Sequence, residues 1–310
     1  MNCELTIRTA LTRENSKFAL ILGSGFNASA AGVESILASW QSLMGRVLGR
    51  DIQDASPTHA FERHLLKERS TASAAQRELV VLREIRNHIM WETERVLASG
   101  ASYVPAFLFD PSWVSDILTL NFDDLVERYC RTRLKVRVSA WRIPKGFEGR
   151  QPFNRDSIRY RELIFPGGGR IRVWHLHGSV SRPGGIQLGI HRYALRTAVV
   201  EALRRHYKQW ERRSEEAVTW YSALHRPVMV LGASLSEAEW DLWAAIIDRE
   251  RNYAKPENRR FRKPMFQMRE KEEGFQREWF QPLFSEGGDH PSQWKRLEEI
   301  VLRSKAKLSS

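Results

Sequence analysis

The hydrophobic pattern of this chain is punctuated at four places where a short apolar run breaks into small and polar residues. The first is FALIL, residues 18–22, which runs straight into Gly23, Ser24 and Gly25. A continuously apolar run that ends in glycines and opens a helix predicts a buried parallel strand feeding a phosphate-binding turn, whose free N–H groups would face an anion. The other runs are DILTL (116–120), ending in Asn121-Phe122-Asp123-Asp124, IRVWHL (171–176), ending in His177-Gly178-Ser179, and PVMVL (227–231), ending in Gly232-Ala233-Ser234. By the period-two rule His175 and His177 point one way, and Trp174 and Leu176 the other.

Between these runs the pattern is helical. Ile36, Leu37, Trp40, Leu43, Met44 and Val47 share one face of a helix predicted over 33–48. Ser56-Pro57 marks a second helix start. Ser73 and Gln76 form a capping box that opens a long helix to about residue 97, stopped by Gly100. Leu125, Val126 and Tyr129 continue as a helix for which Asn121 or Asp123 is a suitable N-cap. Residues 136–169 read as an irregular excursion with a hairpin, 193–216 as a charged helix, and 237–248 as a helix capped by Ser236. An edge strand at 265–268 and an amphipathic helix at 292–303 close the chain. The expected class is α/β: a Rossmann-like parallel sheet with helices on both faces and a helical insertion after the first βα unit. One domain spans 1–310, with the insertion at about 50–100 and a basic segment and helix at about 249–310.

Composition narrows the picture. The chain has 310 residues, 42% of them hydrophobic, enough for a substantial core. No apolar run approaches the roughly 20 residues of a membrane span, and the first residues lack a secretory h-region. With only Cys3 and Cys130, a disulfide scaffold and a four-cysteine zinc site are excluded. No metal is expected, and a reducing, cytoplasmic location follows. The net charge of +12 favours nucleic acid, an acidic partner or a dinucleotide phosphate. It is spread along the chain, densest over 249–269, where Arg259, Arg260, Arg262 and Lys263 cluster. A nicotinamide dehydrogenase is disfavoured, because its second strand follows the first helix closely and ends in an acidic residue. Here further helices intervene.

GSGFNASAAG (23–32), TLNFDDLVERY (119–129), WHLHGS (174–179) and LGASLSEAEWD (231–241), in that order, resemble the sirtuin superfamily. The resemblance is to the bacterial sirtuin-like NADase domains of anti-phage defence systems, and it spans 18–248. It implies that Gly23, Ser24 and Gly25 cradle the NAD+ pyrophosphate and that Asn27 also binds NAD+. Asn121 then stands at the nicotinamide ribose, Asp123 and Phe122 hold the nicotinamide, and His177 is the catalytic histidine. Gly232, Ser234 and Asp241 line the adenosine side. Two features of deacetylating sirtuins are missing: the four-cysteine zinc module, and the proline–aspartate–phenylalanine–arginine segment after the glycine loop.

The resemblance therefore implies an NAD+ glycohydrolase with Asn121 and His177 catalytic and NAD+ as substrate rather than cofactor. Its implied role is the gated toxic effector of an abortive-infection system. Gating calls for a homo-oligomer or an activating partner, such as a helicase-type ATPase or an Argonaute-like protein, with nucleic-acid contact indirect and no membrane. An NAD-dependent ADP-ribosyltransferase would use the same residues. A non-catalytic NAD or ADP-ribose sensor would need neither Asn121 nor His177, and a basic nucleic-acid-binding domain would explain the charge alone.

Overall fold

The apolar runs at 18–22 and 116–120 lie side by side as β1 (Phe18–Leu22) and β2 (Val114–Thr119), with every residue of both buried. The computed structural model describes residues 7, 9–10, 17–49, 57–67, 73–99, 103–149, 155–181, 185–211, 218–235, 239–268, 279–283 and 290–309. Among these, β3 (Arg137–Val138), β4 (Tyr160–Ile164), β5 (Arg170–His175), β6 (Val228–Leu231), β7 (Met265–Gln267) and β8 (Gln281–Pro282) complete an eight-stranded sheet of order β3-β4-β5-β2-β1-β6-β7-β8. Strands β5, β2, β1, β6, β7 and β8 run parallel, and β4 and β3 pair antiparallel at one edge. The fold is thus α/β and Rossmann-like.

Alternation along β1 shows why helices cover both faces. Phe18, Leu20 and Leu22 belong to one core cluster, Ala19 and Ile21 to the other. A strand apolar on both sides must be buried on both sides. Helices α1 (Ser24–Ala31), α2 (Trp40–Leu48), α3 (Pro57–Lys67), α4 (Ala74–Ser99) and α5 (Leu125–Thr132) supply the first cluster. Helices α6 (Ile190–His206), α7 (Trp220–Ala223) and α8 (Trp240–Ala254) supply the second, and α9 (His290–Ser309) returns to the first.

Several expectations need correction. The helix predicted over 33–48 is helical only from Trp40, and a separate helix precedes it. The chain becomes helical at Ser24, stops at Gly32 (φ 86°), and restarts at Trp40, where the Ser39 side chain accepts from the Ser42 N–H. Ile36 and Leu37 lie in the intervening turns, so their apolar spacing reflects burial from a loop. The capping box stands: the Ser73 N–H donates to Gln76 Oε1 at 2.8 Å, and the Gln76 N–H to Ser73 Oγ at 3.3 Å. Within the excursion β3 pairs antiparallel with β4, and the hairpin itself joins β4 to β5, just beyond it. Strand β7 is not an edge, because β8 pairs outside it.

Helix α6 starts at Ile190 and passes into a π-helical turn at Tyr207–Glu211. Helix α8 starts at Trp240 with no side-chain cap bond from Glu239; the Ser236 cap expected there, like the helix starts at Ser56 and stop at Gly100, lies outside the described residues. The C-terminal helix extends both ways beyond 292–303.

The basic segment is not one surface. Arg249 is fully buried, donating to the carbonyls of Leu224 (2.5 Å) and Lys263 (2.6 Å) and pairing with Glu250. Glu250 also holds Arg262 at 2.7 Å. Arg259 and Arg260 are exposed, and the far end of the segment lies outside the described residues. Among the described residues, no helix is long and apolar enough to cross a membrane.

Candidate active site

The register of the parallel strands places the polar strand ends together. Leu22 pairs with Thr119 and Thr119 with His175. Gly23, Asn121 and His177 therefore all follow the same level of the sheet, at the carboxyl edge where open α/β sheets bind ligands. Gly232 follows Leu231, the partner of Leu22.

The turns after β1 and β6 touch backbone to backbone. The Gly23 N–H donates to Leu231 O at 3.1 Å and the Gly25 N–H to Gly232 O at 2.8 Å. A Cβ on Gly23 would stand 2.5 Å from Gly232 O, and one on Gly232 (φ 63°) would stand 2.6 Å from the Phe26 N. These glycines are required by close approach. The expectation that the turn offers its N–H groups to an anion is corrected for Gly23 and Gly25, whose donors are already engaged.

Asn121 ties β2 to this turn: its Nδ2 donates to Gly23 O at 3.0 Å, and its own N–H donates to Thr119 Oγ1 at 3.1 Å. Asp123 is the anchor of the next turn. Its Oδ1 accepts from the Leu125 N–H at 3.0 Å, and its Oδ2 from Asn27 Nδ2 at 2.6 Å. Asp123 thus serves the start of α5 while facing the crevice. Burial pushes its carboxyl up to about 6, against the pull of the Asn27 and Leu125 donors. Asn27 also donates to Leu37 O at 3.1 Å, holding the loop that precedes α2.

Ser24, Asn27, Asn121, Phe122 and Asp123 share a crevice with Trp40 and Leu43 of α2. The Trp40 ring stands edge-on to Phe122 at 4.3 Å, and the crevice holds about 20 Å³, room for about one water.

On the other side of Phe122, whose ring centroid is 6.4 Å from that of His177, lies a buried charge cluster. His177 Nε2 is 2.9 Å from Glu239 Oε2 and 3.9 Å from Asp241 Oδ1, and Arg196 Nε is 2.7 Å from Asp241 Oδ2. Tyr193 lies over the imidazole, with ring centroids 5.0 Å apart. Burial alone would make the imidazole neutral. The Glu239 charge and hydrogen bonding to Asp241 and Glu239 outweigh it and push His177 up to about 9. His177 is therefore a cation at neutral pH in this form. Asp241 is held well below the usual carboxylate range: Arg196 and His177 outweigh the opposing effect of its burial.

His177, Glu239 and Asp241 bring potential metal-ligand atoms within 4.8 Å of one another. Two carboxylates facing an imidazolium and a guanidinium are already charge-balanced, so the set fits an ion-pair cluster better than a cation site.

The two histidines of the WHLHGS segment part company. His175 Nε2 is 2.8 Å from Glu127 Oε1 of α5, both side chains buried. Burial pulls His175 down, but the Glu127 carboxylate lifts it above its ordinary value. The expectation that both histidines point one way is corrected: the strand ends at His175, and the following turn carries His177 toward α8.

The adenosine-side residues also divide. Gly232 is half-buried against the glycine turn of β1 and Ser234 is exposed, whereas Asp241 is shut from solvent against Arg196. Asp241 is turned toward His177 and Arg196 in this form. Sequence reasoning missed Glu239, Arg196, Tyr193 and Trp40. Glu239 sits inside the quoted LGASLSEAEWD motif and could have been singled out. Arg196 had no local signal, because its partner lies on another helix.

A family model described as SIR2-like domain matches residues 115–286, more than half of the chain. No curated protein matches it.

Proposed function

We propose, from the premise that the chain belongs to the SIR2-like domain family, that it cleaves NAD+ to nicotinamide and ADP-ribose and that the form described is closed. The SIR2-like domain supports an NAD-related function. The observation carrying the finer reading is the convergence of Asn121, Phe122, Asp123 and His177 at the ends of β2 and β5, beside the glycine turn of β1. The C1′–N1 bond breaks with its electron pair on the pyridinium nitrogen, so nicotinamide leaves neutral. The ribose passes through an oxocarbenium-like centre that water captures. Asn121, whose amide both donates and accepts, bonds a ribose hydroxyl or the attacking water. Phe122 and Asp123 hold the nicotinamide, and His177 takes the proton released by the water.

The closed form supports gating. An imidazolium cannot accept a proton, and a crevice of about 20 Å³ cannot admit a nicotinamide. Turnover then needs Trp40 to leave Phe122 and His177 to part from Glu239. A toxic NADase must be held inactive until triggered, and an oligomer or an activating partner would supply that trigger.

The test is product analysis after incubating wild type, Asn121→Ala and His177→Ala with NAD+. Nicotinamide and free ADP-ribose released by wild type at a slow basal rate, and by neither alanine variant, support the reading. General-base help is typically worth about 10²–10⁴-fold, so His177→Ala loses turnover while keeping most NAD+ affinity. A label transferred to protein or nucleic acid points instead to ADP-ribosyl transfer. Full activity of His177→Ala overturns the assignment of that residue.

A further inference from the structure

The second feature built for a ligand lies at the opposite end of the sheet. Lys17, Ser115, Arg170 and Arg226 stand within two residues of the starts of β1, β2, β5 and β6, and they share a cavity of about 560 Å³ with Arg142, Arg172, Tyr160, Glu162 and Lys263. That volume lies within the usual range of small-molecule sites. Asn121 and His177 belong to the carboxyl ends of the same strands, so the two features are separated by the length of the sheet.

Six cationic side chains line this cavity: Lys17, Arg142, Arg170, Arg172, Arg226 and Lys263. Among the described residues, two carboxylates pair with four of the arginines. Asp116, fully buried on β2, is 3.2 Å from Arg172 Nη1 and 3.7 Å from Arg226 Nε, and accepts from Trp174 Nε1 at 3.0 Å. Glu162 is 3.1 Å from Arg142 and 3.9 Å from Arg170. Lys17, Arg142, Arg170, Arg172 and Arg226 thus outnumber Asp116 and Glu162 by three in one concave place. Arg226 is fixed further by donating from Nη1 to Ser115 Oγ at 2.9 Å.

The buried Asp116 acts as a post that orients two guanidinium groups, the arrangement that recognises phosphate with direction as well as charge. Folding needs an arginine to neutralise Asp116. It does not need Lys17, Arg142 and Arg170 gathered beside that pair, whose mutual repulsion is unfavourable without an anion. The wall also carries a neutral polar group. Burial and the nearby Arg249 pull His225 down to about 3. Among the described residues its Nε2 has no hydrogen-bond partner, and its ring stacks on Tyr207 at 4.6 Å.

We propose that this cavity binds a ligand of nucleotide size bearing two or more phosphate groups. Such a ligand supplies the missing negative charge, with Arg172 and Arg226 gripping one phosphate and Lys17, Arg142 and Arg170 the next. The chemistry is shared by a free nucleoside triphosphate and by the 5′-triphosphate end of an RNA. The inference stands apart from the NAD+ reading, since none of these residues belongs to that site.

The experiment is calorimetric titration of the full chain with three probes: inorganic tripolyphosphate, ATP, and a short 5′-triphosphate oligoribonucleotide paired with its 5′-hydroxyl control. It is run on wild type, on Lys17→Ser/Arg170→Ser and on the charge-retaining Lys17→Arg/Arg170→Lys. The expected result is binding to wild type that weakens with salt and falls about tenfold or more in the serine double variant. The charge-retaining variant restores it. Thermal unfolding and nicotinamide release from NAD+, run in parallel, are unchanged by the serine variant, so loss of this site is distinguishable from loss of the other. Preference for the oligoribonucleotide over ATP assigns the phosphates to an RNA end, and the reverse to a free nucleotide. Absence of wild-type binding tighter than about 1 mM for all probes overturns the proposal. Equal binding by wild type and the serine variant does so too.

Discussion

The imidazole Nε2 of His177 lies 2.9 Å from the Glu239 carboxylate, behind a wall formed by Tyr193 and Phe122. This contact makes the histidine a cation and ties the end of β5 to the start of α8. The native state holds the His177 proton up to about pH 9, whereas an unfolded histidine releases it near about 6.5. The resulting stabilisation is full below about pH 6.5 and is lost as pH rises through 9, and linkage puts it at roughly 3 kcal/mol. Glu239→Gln removes the charge that holds the proton. Urea unfolding at about pH 6 and about pH 9.5 should show the wild type weakening with rising pH and Glu239→Gln with a clearly smaller slope. Equal slopes would mean that the contact does not set the protonation of His177.

Asn27→Ala probes the other charged group of the site. It removes the donor 2.6 Å from Asp123 Oδ2 and the donor to Leu37 O. Leaving a buried carboxylate short of a donor costs about 1–3 kcal/mol. Because Asp123 protonates near 6, the loss should be larger at about pH 7.5 than at about pH 5, where the carboxyl is neutral. Chemical denaturation at both pH values measures the difference, and a loss independent of pH would assign the effect to Leu37 alone.

Gly49 and Gly232 share a φ of 63° but not their surroundings. Nothing lies within 4 Å of a Cβ on Gly49, whereas one on Gly232 meets backbone at 2.6 Å. Gly49→Ala should cost about 1 kcal/mol, the ordinary left-handed penalty. Gly232→Ala should cost on the order of 3 kcal/mol or more, since overpacking adds to it. Paired thermal melts decide, and similar losses would show that the β1 and β6 turns can move apart.

Trp40→Ala removes the ring that closes the crevice over Phe122. If NAD+ is admitted there, basal nicotinamide release should rise several-fold, with a loss of stability of about 1–3 kcal/mol from the partly buried ring. An unchanged basal rate in a folded variant would place the closure elsewhere.

The strands at the centre of the sheet were legible because their signal is local. Leu20, Ile117, Val173 and Met229 sit in short runs apolar on both sides, and such runs can only be buried parallel strands once helices separate them. The Ser73–Gln76 capping box was equally local. The helix predicted over 33–48 failed because Leu37 is buried from a loop whose carbonyl Asn27 holds. Periodicity counts apolar residues without knowing which backbone carries them.

The sequence by itself determined the class of fold, the order of its polar strand ends, and the absence of a four-cysteine zinc site. These depend on residue types and short spacings. Only the tertiary structure decided that Asp241 is turned toward His177 and that Trp40 closes the crevice. It also decided that Arg249 is buried and that Lys17, Arg142, Arg172 and Arg226 share a cavity. Each of these is a meeting of residues far apart in the chain. Charge and burial acquire their effect on a proton or a ligand only when distance is fixed, and distance is fixed by the register of the sheet and the helices packed on it.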